Sequence, residues 1–451
     1  MRRGVPNLFE LAAMAAGLVV LAVLGRLGYA LATETVTHPG AEPDPIAATT
    51  PADQEALAKA NPGFLYGRVT TDDGVAYEGR LRWGGGEEAF WGDYFSGSKS
   101  SNPWAASVPP EALASGRHPF RIFGFELGDS ATIDLRRPFL VRLGDIARID
   151  APSPMVVRLT LKSGTVYDTN YSEASDFADG IRVWTDGKTV DLGPTKIQTI
   201  EFLPTARLAS APSRLYGTVE TRGRAFTGFL QWNREKSVGS DTLDGRTADG
   251  KVSLRFDAIR AVARESSDQL RVTLRDNRDV VGFDRDKSGP LTFGMYVEDS
   301  RYGRVLVPWS AFERVEFSAG GSGPAYSDYP PGRPLAGTVT LRSGERLAGR
   351  LVYDLDESET TDSLDAPRDG VDYLLPFGLV ASIALPENDK SGTGRAKVTL
   401  QSGEVLNLEL AGDLGPRNAG LLVFPGGTER PRHVRWADVQ RIEFDATPGR
   451  L

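Results

Sequence analysis

Apolar and polar residues alternate in short runs along most of the chain, and the runs recur. Leu65-Tyr66-Gly67-Arg68-Val69 returns as Leu215-Tyr216-Gly217-Thr218-Val219 and again as Leu335-Ala336-Gly337-Thr338-Val339. Alternation of this kind turns one face of a strand inward. After a turn, each copy continues with a second glycine and strand: Gly79 to Trp83, Gly228 to Trp232 and Gly349 to Tyr353. Each then closes on apolar residues spaced by three: Leu143, Ile146, Ile149; Phe256, Ile259, Val262; Phe377, Val380, Ile383. That spacing predicts a short 3₁₀ or bent turn feeding a last strand.

A second half-unit follows every copy. It opens with Leu159-Thr160-Leu161-Lys162-Ser163-Gly164, Val272-Thr273-Leu274-Arg275-Asp276-Asn277 and Val398-Thr399-Leu400-Gln401-Ser402-Gly403. Ser-Gly, Asp-Asn and Ser-Gly supply the positive φ that a tight hairpin needs. The half-unit closes on Ile197, Ile200, Glu201, Phe202, then Trp309, Phe312, Val315, Glu316, Phe317, then Trp436, Val439, Ile442, Glu443, Phe444. Pro194 stands where the later copies have tryptophan. A half-unit of about 50 residues holds roughly five short strands. Five such strands bury one apolar face most economically as a small barrel. The expected fold is therefore all-β, with three tandem pairs of small barrels at 64–204, 214–318 and 334–446. Gly-, Pro- and Ser-rich joints, Thr205 to Ser213 and Ser318 to Pro334, separate the pairs.

Val339-Thr340-Leu341-Arg342-Ser343-Gly344, followed by Leu347, Gly349, Leu351 and Asp354, resembles the first signature of Sm-like small barrels. The broader SH3-like and PRC-barrel folds share this look. The resemblance covers about 20 residues per copy, so it implies a fold type. Sm-like proteins bind RNA through an Asp/Asn loop and a late Arg-Gly. Asp354 takes the aspartate place, but Phe377-Gly378 stands near where Arg-Gly would be. The resemblance therefore implies the barrel and not the activity.

The N-terminus reads as an address. Arg2 and Arg3 precede an apolar run from Leu11 to Leu24, and Ala30-Leu31-Ala32 offers a small-x-small cleavage site. Residues 1–32 are a signal peptide, or an uncleaved anchor over residues 8–31 with Arg26 snorkelling. Either reading exports the rest, to the periplasm, the medium or the membrane surface. Residues 33–63, rich in proline and acid, read as a tether.

Composition then removes chemistry. A net charge of −8 argues against binding a nucleic-acid backbone. With no cysteine, disulfides, thiolate metal sites and cysteine nucleophiles are excluded. The three histidines, His38, His118 and His433, leave little for a zinc site or a Ser-His-Asp triad. No cofactor is implied.

The first pair carries an aromatic-rich insertion, read here as 84–140, that the other copies lack. Its candidate ligand-binding residues are Trp91, Asp93, Tyr94, Phe95, Lys99 and Trp104, because aromatic faces stack on sugar C–H patches while polar groups fix orientation. Trp83, Trp232, Trp309 and Trp436 recur in equivalent places and read as core, whereas Trp184 does not recur. Asp354, Asp356 and Ser358 follow the one-three-five spacing of a calcium loop, but Glu359 and Asp365 occupy the places of its glycine and its closing glutamate.

The expected function is a non-catalytic, exported envelope protein that recognises polysaccharide, peptidoglycan or another protein. The membrane is touched only through the N-terminal segment. Two alternatives remain: a carbohydrate-active hydrolase using Glu87, Glu88 and Asp93, and an assembly protein joined through edge strands.

Overall fold

The computed structural model describes residues 61–446 with breaks, the longest at 109–119, 128–137, 286–293 and 388–393. The export segment, nearly all of the tether and His118 lie outside the described residues. The protein is all-β: three antiparallel sheets of 8, 12 and 8 strands, with two two-stranded ribbons. The longest α-helix among the described residues is the single turn Ser175–Ala178. No helix among them is long and apolar enough to cross a membrane.

The second pair shows the repeat in full. Its first half holds Tyr216–Thr221, Ala225–Trp232, Thr242–Thr247, Gly250–Arg255 and Ile259–Arg264. Its second half holds Gln269–Leu274, Asp279–Arg285, Met295–Asp299, Gly303–Val307 and Phe312–Phe317. The halves do not close separately. Ala225–Trp232 pairs with Met295–Asp299, and Asp279–Arg285 with Thr242–Thr247, so each second strand takes the other half's third strand as neighbour. The two fifth strands meet with Val262 opposite Val315. In the first pair Ile149 faces Ile200, and in the third Ile383 faces Ile442. Equivalent residues thus oppose one another, the register expected of two copies related by a local twofold.

The sequence signals act where they stand. The closing spacing forms 3₁₀ turns at Leu143–Asp145, Pro194–Lys196, Phe256–Ala258, Phe377–Leu379 and Trp436–Asp438. The hairpin residues Gly164, Asn277 and Gly403 have φ of 88°, 67° and 86°. The repeat glycines sit directly opposite each other, Gly67 with Gly79, Gly217 with Gly228 and Gly337 with Gly349. A Cβ at Gly79, Gly228 or Gly349 would overlap the carbonyl oxygen of Trp184, Glu298 or Phe424 on the next strand. The absent side chain lets the ladder pass.

The pairs share cores rather than standing apart. One apolar core runs through both the second and third pairs, from Val219 and Trp232 to Tyr353 and Ile442. A ladder crosses between them, with Arg304 opposite Leu374 and Leu306 opposite Asp372. The Ser318 to Pro334 segment does more than join its neighbours. Tyr326 and Tyr329 pack into the core of the first pair, and the Tyr326 hydroxyl donates to the Ile146 carbonyl at 2.8 Å. Lys162 of the first pair donates to the carbonyls of Tyr326 and Tyr329 at 2.6 and 3.1 Å.

Candidate functional site

The aromatic segment of the first pair begins with an ordinary stretch of the repeat. Trp83, Trp232 and Tyr353 each bridge to the residue four places on, Glu87, Lys236 and Glu357. An aspartate then ties the loop. Asp93 accepts from the amides of Glu88 and Ala89, Asp241 from Ser237 and Val238, and Asp362 from Ser358 and Glu359, all at 2.7 to 3.1 Å. The next strands, Tyr94–Ser98 and Pro138–Arg142, pair with each other. The added chain therefore falls between them, at 99–137, while residues 84–98 follow the pattern of the other copies.

This placement decides what each candidate side chain touches. Asp93 is fully buried, and burial raises its pKa against the pull of Arg214 and Arg304. Phe95 is fully buried with its ring 5.8 Å from that of Trp83. Tyr94 is buried beneath the Arg304 guanidinium, which lies 4.0 Å from its ring. Trp91 is half-buried against Tyr329 at 6.1 Å, with Arg142 at 5.7 Å from its ring. Glu88 is 2% exposed and bound by Arg80 and Arg82 at 2.6 and 3.1 Å. Burial raises its pKa while both arginines lower it.

Lys99 and Trp104 face the third pair. Lys99 Nζ lies 2.6 Å from Asp356, and the Asn102 side chain donates to the Leu355 carbonyl at 2.9 Å. Trp104 is half-buried with its ring 6.0 Å from that of Phe424, and the Arg350 guanidinium lies 5.3 Å from it. Val108 joins a small core with Val352, Leu355, Leu422 and Phe424. Lys99 and residues 102–108 thus form a strut from the first pair onto the third.

The acidic loop that resembled a calcium site is the far end of that strut. Asp354 accepts the Ala419 amide, Asp356 holds Lys99, and the Ser358 amide belongs to Asp362. Ser163 and Thr165 of the first pair donate to Glu359. Among the described residues no group of three or more His, Cys, Asp or Glu is arranged to hold a metal ion. Burial lifts the Asp362 carboxyl to about 6 against the pull of Lys99, and lifts Glu357 well above the usual carboxylate range. Burial lowers the pKa of Lys99, but Asp356 and Asp362 outweigh it and the net shift is upward.

Of the aromatic candidates, Trp91 and Trp104 keep partly open surface, while Lys99 is spent on Asp356. They stand in different surroundings, Trp91 beside Tyr329 and Trp104 beside Phe424. Trp184 is also half-open, with the Arg80 guanidinium stacked 3.7 Å from its ring. Sequence reasoning passed over a cleft of about 410 Å³ between the second and third pairs, lined by Arg222, Arg224, Arg368 and Asp369 over Phe226 and Tyr373. Its arginines lie in turns of separate repeats, so no sequence window contains them together. Searches against family models, curated proteins and solved structures return no match to this chain.

Proposed function

We propose that the protein is a non-catalytic, exported scaffold and binding protein of the cell envelope, recognising polysaccharide, peptidoglycan or a protein partner. Its half-units are read as small Sm-like or SH3-like barrels that have exchanged their third strands within each pair. Export rests on Arg2, Arg3 and the apolar run from Leu11 to Leu24. One observation carries the non-catalytic reading. Glycoside hydrolysis needs two free carboxyl groups, and two of the three candidates are already engaged, Glu88 by two arginines and Asp93 by two backbone amides, so half-buried Glu87 has no second carboxylate among them to work with. A general acid needs a carboxyl that reaches substrate, and both Glu88 and Asp93 are buried. The contact surfaces in this reading are two half-open rings, Trp91 beside Tyr329 and Trp104 on the strut beside Phe424.

Co-sedimentation with purified peptidoglycan and with insoluble polysaccharides tests it. The protein is expected in the pellet, and a Trp91→Ala, Trp104→Ala variant with an unchanged circular dichroism spectrum in the supernatant. Absence of the native protein from every pellet would overturn the glycan reading and leave a protein partner. Release of reducing ends by the native protein would establish the hydrolase instead.

A further inference from the structure

The cleft between the second and third pairs shares no lining residue with Trp91 or Trp104 or their ring partners. Two turns frame it: Thr221-Arg222-Gly223-Arg224, and Arg368-Asp369-Gly370 at the tip of the Ser363–Arg368 hairpin. Three arginines meet there against one aspartate, in a protein of net charge −8. Asp369 is already held by Arg368 at 3.1 Å and by Arg395, from outside the cleft, at 2.9 Å. Arg222 is 82% exposed and reaches Glu313 only at 3.4 Å. Arg224 makes no ion pair with a carboxylate among the described residues.

A second observation points the same way. Tyr373 forms the floor with Phe226, their rings 5.8 Å apart, and both side chains are fully buried. The Tyr373 hydroxyl is buried beside Arg224 yet makes no hydrogen bond of good geometry. A buried hydroxyl without such a bond is better tolerated where a ligand completes it. Planar guanidinium forks match the oxygens of carboxylate and phosphate. A concave wall of net positive charge also focuses the field on an incoming anion. The volume suits a small ligand rather than a chain.

We propose that this cleft binds a small ligand bearing an oxyanion, a carboxylate or a phosphate, through Arg224 and Arg368, with the Tyr373 hydroxyl beneath. The site shares no residue with Trp91 or Trp104, so either reading can fail alone. Calorimetric titration with trigalacturonate, with glucose 6-phosphate and with neutral maltotriose tests it. At least one of the two anions is expected to bind, and maltotriose not. An Arg224→Gln, Arg368→Gln variant should lose affinity by about tenfold or more, the loss expected for a charge-assisted contact. Arg255→Gln, on an exposed arginine that does not line the cleft, should leave affinity unchanged. Tyr373→Phe should weaken binding without lowering the melting temperature, which separates ligand loss from misfolding. Binding by one anion alone would identify the oxyanion as carboxylate or phosphate. No heat with either anion, equal binding of maltotriose, or unchanged affinity in the double variant would overturn the proposal.

Discussion

At the scale of single residues, the repeat is held by a few side chains with fixed tasks. The loop aspartate is the clearest, since Asp93, Asp241 and Asp362 each hold two amides that have no other partner in the loop. For Asp93 the acceptor matters more than the charge, because burial already disfavours the ionised form. Asp93→Ala should therefore cost about 1–3 kcal/mol, the desolvation penalty of stranded donors. Asp93→Asn, which keeps one acceptor oxygen, should cost clearly less. Urea unfolding of the two variants checks this, and equal losses would show that the charge facing Arg214 carries the effect. The aspartate was visible in the sequence only as an acid in an aromatic insertion. Its equivalence to Asp241 and Asp362 is hidden because the loop residues between share no side-chain chemistry.

At the scale of elements, the sequence shows what is local. Alternation, the Ser-Gly and Asp-Asn turns and the three-residue closing spacing each depend on neighbours in the chain, and they reappear as strands, hairpins and 3₁₀ turns, except at Trp309, where the chain makes a plain turn with the Phe312 amide on the Pro308 carbonyl. Strand neighbours are different. Alternation fixes which face of Ala225–Trp232 turns inward, but not that Met295–Asp299 is its partner. The strut is equally silent: Lys99 and Asp356 lie 257 positions apart and meet only through the fold. Their contact carries a pH signature. Folding raises the Asp362 carboxyl from its ordinary 3.8 to about 6, so the folded protein holds that proton more tightly. Stability from this group is then present below about pH 4 and lost as pH rises towards 6. Asp362→Asn removes the titration while keeping an acceptor for the Ser358 and Glu359 amides. The variant should gain stability relative to the native protein between pH 4 and pH 7. A difference that stays flat across that interval would show that Asp362 does not titrate with folding.

At the scale of the whole molecule, three tandem pairs would suggest beads on a string, each unfolding alone. The structure joins them three ways. Arg304 and Ser237 of the second pair bond to the carbonyls of Gly92 and Gly86 in the first. The ladder from Arg304 to Leu374 links second to third, and the strut through Lys99 and Trp104 links third to first. Linkers between independent domains cannot do this, and a surface set on such a body keeps its geometry when a partner docks. The most direct measurement is equilibrium unfolding followed in parallel by tryptophan fluorescence and far-ultraviolet circular dichroism. The shared cores predict one transition with coincident midpoints for both probes. Two or more separated transitions would mean that the pairs unfold as independent modules, and would contradict the single scaffold on which the proposed recognition rests.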